Sequence, residues 1–323
     1  MNNLASVSVI LASRDRPAYL ADALDSLMPQ RKYIKEILIF DKSNFPENVA
    51  RIESIANKYE ATLFKRDSMN NVTMLRNEGL AMASGEFMCF LDDDDYLLPN
   101  FMESQLSHLQ HGASLVFCNY ITVRYPQHPI QPDQIVHQYK SLIGARTWTA
   151  ALAFIHGPLA AQNNAFAFIS AFVPIIHGAV IRKDAIDKIR FSEQMVFCED
   201  LHFWILFYKN NLSMAFNKSV LAIYRIHESN FSSYFSIKHN FDFYYSLKNE
   251  NAVTGKINLF LLKLKLLKFS GWGARLPRGE KIPFWLDLFK YFYLFPVVLI
   301  VIPYFITLKY QNHISRKHRV FTS

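Results

Sequence analysis

At 323 residues, 51% hydrophobic and 15% aromatic, the chain is too apolar to be disordered and exceeds an ordinary domain of about 100 to 200 residues. Its net charge of +8 is unevenly placed: residues 238–323 hold 14 Lys/Arg against four acids (Asp242, Glu250, Glu280, Asp287), and the preceding 237 hold 21 against 23. The basic excess belongs to the tail, which argues against a nucleic-acid-binding catalytic domain and points the tail toward an anionic surface.

In chain order, VSVILA (7–12) reads as a buried strand, and DRPAYLADALDSLM after it carries Leu20, Ala23, Leu24 and Leu27 at helical spacing. Asp15 or Arg16 stands near the cap, with Pro17 in the first turn. EILIF (36–40) is a second strand, followed by a loop and a helix bearing Val49, Ile52, Ala56 and Tyr59. ATLFKR is a third strand, MLRNEGLAMA a helix, SGE a turn and FMCFL a fourth strand. This alternation implies an α/β fold, a largely parallel, doubly wound sheet with ligands bound beyond the carboxyl ends of its strands. Two acidic features fall at that edge: Asp41 directly after EILIF, and Asp92 to Asp95 directly after FMCFL.

Beyond Asn119 the pattern loosens, and residues 124–170 give no clear element. IIHGAVI then reads as a strand, KDAIDKI as a short helix, EDLHFWILFYKN as a helix with Leu201, Trp204, Ile205 and Tyr208 on one face, and MAFNKSVLAIYRIH as a strand. Cys89, Cys118 and Cys198 are isolated in apolar stretches, as expected of reduced core thiols. MNNLASVSVILAS has neither a basic leader nor a long apolar run, so a cytoplasmic protein is expected.

Four adjacent aspartates cannot all be ionised in a dry site without a counter-charge, because burying one unpaired carboxylate already costs several kcal/mol. A divalent cation, Mn²⁺ or Mg²⁺, shared with substrate phosphates would supply it, the alternative being a solvated turn, for which four acids are more than is needed. An EF-hand is excluded: with Asp92 first, Glu103 falls at position 12, but position 6 is Leu97 where glycine is needed.

The segments VSVILASRDRP, EILIFDKSN, MLRNEGLAMASGEFMCFLDDDD, CEDLHFWILF and YRIHESNFS, in that order over residues 7–233, together resemble family 2 glycosyltransferases, inverting enzymes of the GT-A fold. The resemblance implies a Rossmann-like, mostly parallel central sheet flanked by helices. It implies a GT-A domain over 1–235, with a nucleotide-sugar half (1–120) and an acceptor half (121–235). It also implies roles. Asp92 and Asp94 match the Asp-x-Asp that holds ribose and metal, with Asp95 a second metal contact. Asp41 matches the acid on the nucleotide base, Arg76 and Asn77 the Arg-Asn pair before the metal strand, and Asp200 the catalytic base. Arg225 and His227 match an Arg-x-His segment near the diphosphate, where His227 could instead ligate the metal; His177-Gly178 is a further candidate. The chain departs from the family's pattern where Lys42-Ser43-Asn44 follow Asp41 and where Arg14 replaces a common aromatic, which bears on the choice of donor nucleotide.

The implied reaction moves a sugar from a nucleotide-diphosphate donor to a hydroxyl of a polysaccharide or lipid-linked oligosaccharide precursor, with the cation stabilising the leaving diphosphate and Asp200 taking the acceptor proton. Two rivals are a haloacid-dehalogenase-like phosphatase, whose Asp-x-Asp normally follows the first strand, and a non-catalytic membrane-associated scaffold. In the tail (236–323), residues 291–308 carry no charge but contain Pro296 and Pro303. A single crossing would put the basic end 309–319 outside, so a monotopic or re-entrant helical hairpin on the cytoplasmic leaflet fits better, with Lys256, Lys263, Lys265 and Lys268 against anionic lipid. A buried helix pair is the alternative.

Overall fold

A computed structural model of the chain describes residues 6–66, 71–110, 112–124, 129, 131–133, 175–187, 189–195, 199–210 and 212–227. Two compact units divide the chain, Met1–Val253 and Thr254–Ser323, and the described residues belong to the first. Most of 124–170, Cys198, the 235/236 boundary and the whole basic tail with its apolar run 291–308 lie outside the described residues. Among the described residues no helix is long and apolar enough to cross a membrane.

Eight strands are described: β1 Val7–Ser13, β2 Ile34–Asp41, β3 Thr62–Lys65, β4 Phe87–Asp92, β5 Tyr96–Leu97, β6 Leu115–Arg124, β7 Ala179–Arg182 and β8 Met214–Ile226. They form one sheet in the order β3-β2-β1-β4-β7-β6-β8-β5. The first four are mutually parallel, as the strand-helix alternation implied. Past β4 the sheet is mixed: β7 runs antiparallel to both β4 and β6, β8 runs parallel to β6, and β5 pairs antiparallel with β8.

The helices are α1 Pro17–Asp25, α2 Pro46–Lys58, α3 Val72–Met82, α4 Phe101–Leu109 and α5 Glu199–Lys209. The apolar stripe Leu20, Ala23, Leu24 and Leu27 is fully buried, but α1 ends at Asp25 and a 3₁₀ segment, Met28–Tyr33, carries the chain into β2. Arg16 is the N-cap of α1 and Pro17 follows it at N1, where a missing N–H costs nothing. Helix α3 lies so close on β1 and β2 that a Cβ at Gly79 would stand 2.4 Å from Ile10 Cγ2 and 3.1 Å from Phe40 Cε2. Helix α5 is buried on more than the one face expected: Leu201, Phe203, Trp204, Ile205 and Phe207 are all buried, with Phe203 stacked on Phe191 at 3.9 Å.

Three features differ from the sequence reading. IIHGAVI splits into a 3₁₀ turn, Ile176–Gly178, and the short β7. The short helix at KDAIDKI is a 3₁₀ turn, Lys183–Ile186. The two-residue β5 and helix α4 follow directly after the aspartates, too short or too weakly patterned to stand out in the sequence. Cys89 and Cys118 are buried and free, and burial pushes both thiols well up.

Candidate active site

The parallel half of the sheet sets the site's width. β1 lies between β2 and β4, with Ser13 opposite Asp41 and Ala12 opposite Asp92. At about 4.8 Å per strand, Asp41 and Asp92 stand roughly 10 Å apart at one carboxyl edge. Asp41 is buried, its Oδ1 accepting from the backbone N–H (3.2 Å) and hydroxyl (2.6 Å) of Ser43. Burial pushes its carboxyl up against the opposing pull of Ser43. The loops after β1 and β2 are tied together by Asp15, a left-handed residue with φ 53°. Its carboxylate accepts from the N–H groups of Asn44 (3.1 Å) and Phe45 (3.2 Å).

The four aspartates form a tight turn between β4 and β5, closed by the Asp95 N–H on the Asp92 carbonyl at 3.1 Å. A turn sends successive side chains in different directions, so each carboxylate meets its own partners. Asp92 accepts from Arg76 Nη2 at 2.8 Å. Asp93 is fully buried and accepts from the Arg14 N–H at 3.1 Å and from Arg16 Nη2. Asp94 takes the other terminal nitrogen of Arg16 and faces His227 Nε2 at 3.1 Å. Asp95 accepts the Arg225 N–H at 3.0 Å and pairs with His177 Nδ1 at 2.7 Å.

Charge in this cluster is unbalanced. Five carboxylates (Asp22, Asp92, Asp93, Asp94, Glu199) are bonded within it to three guanidiniums, Arg16, Arg76 and Arg225, and a sixth, Asp95, meets only the backbone N–H of Arg225 and the imidazole of His177. Burial therefore pushes Asp93 up to about 7 despite Arg16, and Asp95 up to about 6 despite His177. Burial acts on Asp94 as well, but Arg16 and His227 overcome it and hold that carboxyl at about 2. Such a surplus of buried negative charge suits a divalent cation. Among the described residues, one donor atom each from Asp92, Asp95 and His177 lie within 4.8 Å of one another. The metal pair expected from the sequence was Asp94 and Asp95; this group has Asp95 but contains Asp92 and His177 in place of Asp94.

The remaining expected residues fall as follows. Arg76 is buried on α3 and spans two carboxylates, Asp92 and Glu199 Oε1 at 2.9 Å. Asn77 exchanges a pair of hydrogen bonds with the backbone of Phe191, at 2.8 and 2.9 Å, and so joins α3 to the segment before α5. Asp200 is half-buried in the first turn of α5, next to Glu199, with Oδ1 accepting the Leu201 N–H at 2.7 Å. Arg225 is fully buried. It donates to the carbonyls of Asp93, Asp94, Asp95 and Tyr19 and to Asp22 Oδ2 at 2.7 Å. His227 is buried beside Tyr19, with ring centroids 4.4 Å apart.

Asp22 and Arg16 carried no site assignment in the sequence reading. Both lie in or next to α1, where the cap and the apolar stripe drew the reading and gave Asp22 no link to the aspartates 70 positions away. Arg16 had one signal: a cation three residues past the end of β1, at the same edge as Asp41 and Asp92.

A family model described as "Glycosyl transferase family 2" matches residues 8–190, a span that includes the edge and the aspartate turn but stops short of α5 and β8. The Bacillus subtilis (strain 168) protein EpsH is 28% identical over 118 residues, 36% of this chain and 33% of that one. The Campylobacter jejuni GalNAc(5)-diNAcBac-PP-undecaprenol beta-1,3-glucosyltransferase is 26% identical over 118 residues, 36% of this chain and 38% of that one. The chain thus spans 33% and 38% of the length of these two curated relatives. Among solved structures, S. aureus TarS 1-349 in complex with UDP-GlcNAc is similar in fold, with a TM-score of 0.54 at 17% identity over 89% of this chain and 72% of that one.

Proposed function

The chain belongs to glycosyl transferase family 2, and from that premise we propose that it is a metal-dependent, inverting glycosyltransferase acting on a nucleotide-diphosphate sugar. The observation that carries the reading is the path of Arg76. A single buried guanidinium bridges Asp92, on the donor-side turn, to Glu199, the immediate neighbour of Asp200. Donor-holding and acceptor-activating carboxylates thus belong to one connected site.

In this reading Asp41, fixed by Ser43, meets the nucleotide base. Asp92 and its neighbours in the turn receive the ribose and diphosphate. Mn²⁺ or Mg²⁺ at the turn would offset the charge of the diphosphate as it leaves. Asp200 takes the proton from the acceptor hydroxyl while that oxygen attacks the anomeric carbon from the face opposite the leaving group, so configuration inverts. Arg225 and His227 act from beneath: Arg225 fastens the turn's backbone to α1, and His227 holds Asp94. Asn77 and Arg76 fix the spacing of the two halves.

The acceptor is a hydroxyl of a polysaccharide or lipid-linked oligosaccharide precursor. The Campylobacter relative, whose name gives an undecaprenol-linked acceptor, supports this assignment, as does the basic, apolar tail. That tail (236–323) is proposed to rest on the anionic inner face of the cell membrane, following its charge of +10 from residue 238 onward.

The test is release of nucleoside diphosphate from a panel of sugar nucleotides with Mn²⁺ or Mg²⁺, with and without chelator. Asp200→Asn is expected to lower turnover by about 10²- to 10⁴-fold while the donor still raises the melting temperature. Turnover that survives both the chelator and Asp200→Asn would end this reading.

A further inference from the structure

We propose that Tyr120 and Tyr224 form the seat of the acceptor: a corner of two aromatic rings, between the aspartate turn and Asp200, that takes a pyranose ring rather than a bare lipid phosphate. The inference rests on the transferase reading above and deepens it by naming what the acceptor presents and which side chains receive it.

Three observations carry it. First, the two rings meet where the sheet narrows. β7 pairs with β6 through Leu115, Val116 and Phe117; beyond them β6 runs on with β8, Tyr120 opposite Ala222 and Thr122 opposite Tyr224. The rings stand edge to face, centroids 6.5 Å apart and planes at 87°, so they make a floor and a wall rather than a flat stack. Second, the corner touches both functional groups. Arg225, next to Tyr224, gives its backbone N–H to Asp95 at 3.0 Å. His177, which holds Asp95 at 2.7 Å, lies nearly parallel to the Tyr224 ring, at 22° and 6.1 Å. On the other side, burial, then Tyr224 and Asp200, push the Tyr120 phenol up to about 12, so the charge of Asp200 reaches that ring and its hydroxyl stays protonated. Third, both rings are half-buried, whereas Phe117, Phe203 and Trp204, which pack the nearby core, are buried.

A pyranose carries C–H hydrogens on its faces and hydroxyls around its rim. The negative face of an aromatic ring receives the C–H face, and a tyrosine hydroxyl at the ring's edge meets the rim. The acceptor hydroxyl must touch both Asp200, which takes its proton, and the anomeric carbon of a donor held at the turn. A sugar ring resting in this corner stands between the two. A lipid phosphate calls for cationic groups instead, and neither ring supplies one.

The experiment uses the full chain loaded with Mg²⁺ and whichever of UDP, dTDP, GDP and CDP raises its melting temperature most. It is titrated with methyl and octyl pyranosides of glucose, galactose and N-acetylgalactosamine, and separately with farnesyl phosphate, and read by saturation-transfer NMR. At least one pyranoside should bind, with transfer strongest to its ring C–H protons. Tyr120→Leu and Tyr224→Leu should each weaken that binding by about tenfold, and Tyr224→Phe, which keeps the ring, by less than about threefold. The nucleoside diphosphate should still raise the melting temperature of every variant, which separates an acceptor seat from a merely structural role. Pyranoside affinity unchanged in both leucine variants, binding of farnesyl phosphate alone, or loss of nucleoside diphosphate binding in those variants would overturn the proposal, and the wild-type titrations decide between the two acceptor classes even if a variant fails to fold. If no pyranoside binds while a nucleoside diphosphate does, only the acceptor seat falls; if no nucleoside diphosphate binds either, the transferase reading falls with it.

Discussion

Arg76→Met cuts the bridge on which the site's connectedness depends. Methionine keeps most of the apolar stem but removes two charge-assisted hydrogen bonds, at 2.8 Å to Asp92 and 2.9 Å to Glu199. Removing one member of a buried ion pair typically costs about 3 to 5 kcal/mol, because the partner charge is left uncompensated. Here two carboxylates are left, but their side chains are 28% and 17% exposed and can recruit water, so the low end, about 3 kcal/mol, is expected. The assay is urea unfolding of the metal-free protein. The midpoint should fall by about 1 M for a slope near 3 kcal/mol/M, with the slope unchanged. Arg76→Lys should lose less, since one ammonium retains the charge but cannot span both carboxylates as the planar fork does. A loss below about 1 kcal/mol for Arg76→Met would refute the reasoning, since the bridge would then be an ordinary solvent-screened pair.

Two further outcomes follow from the same structure. Asp93 and Asp95 sit at about 7 and about 6 in the folded protein, against about 3.9 unfolded. The stability they confer is therefore present below about pH 4 and lost as pH rises through those folded values. Asp94, held at about 2, acts in the opposite sense and loses its contribution only as pH falls from about 4 through about 2. The metal-free protein should thus unfold at lower urea near pH 7.5 than near pH 5. Asp93→Asn should shrink that difference, and an unchanged difference would count against a buried, strained Asp93. Gly79→Ala should destabilise by about 1 to 3 kcal/mol through overpacking against Ile10 and Phe40, although alanine is the better helix former. A rise in melting temperature would mean that α3 stands off the sheet.

Much of this protein is written locally in its sequence. Strand-helix alternation through residue 92 determines the parallel half of the sheet, because burying apolar runs at periods of two and 3.6 residues leaves few other solutions. Leu20, Ala23, Leu24 and Leu27 point inward as their spacing requires, and Asp41 and Asp92 reach one edge because both close parallel strands flanking β1. The mixed half is harder to read: β7 has four residues and β5 two, too few for a period to register, and their pairing is decided by partners far along the chain. The division of labour among the aspartates is likewise tertiary. Nothing in DDDD distinguishes one carboxylate from the next; a tight turn splays them, and Arg16, Arg76, His177, Arg225 and His227, drawn from four separate segments, give each its own charge environment. Residue types and spacing determined that a buried anionic site exists. Only the folded chain decided which guanidinium or imidazole each carboxylate meets, because those partners come from segments far apart in the sequence.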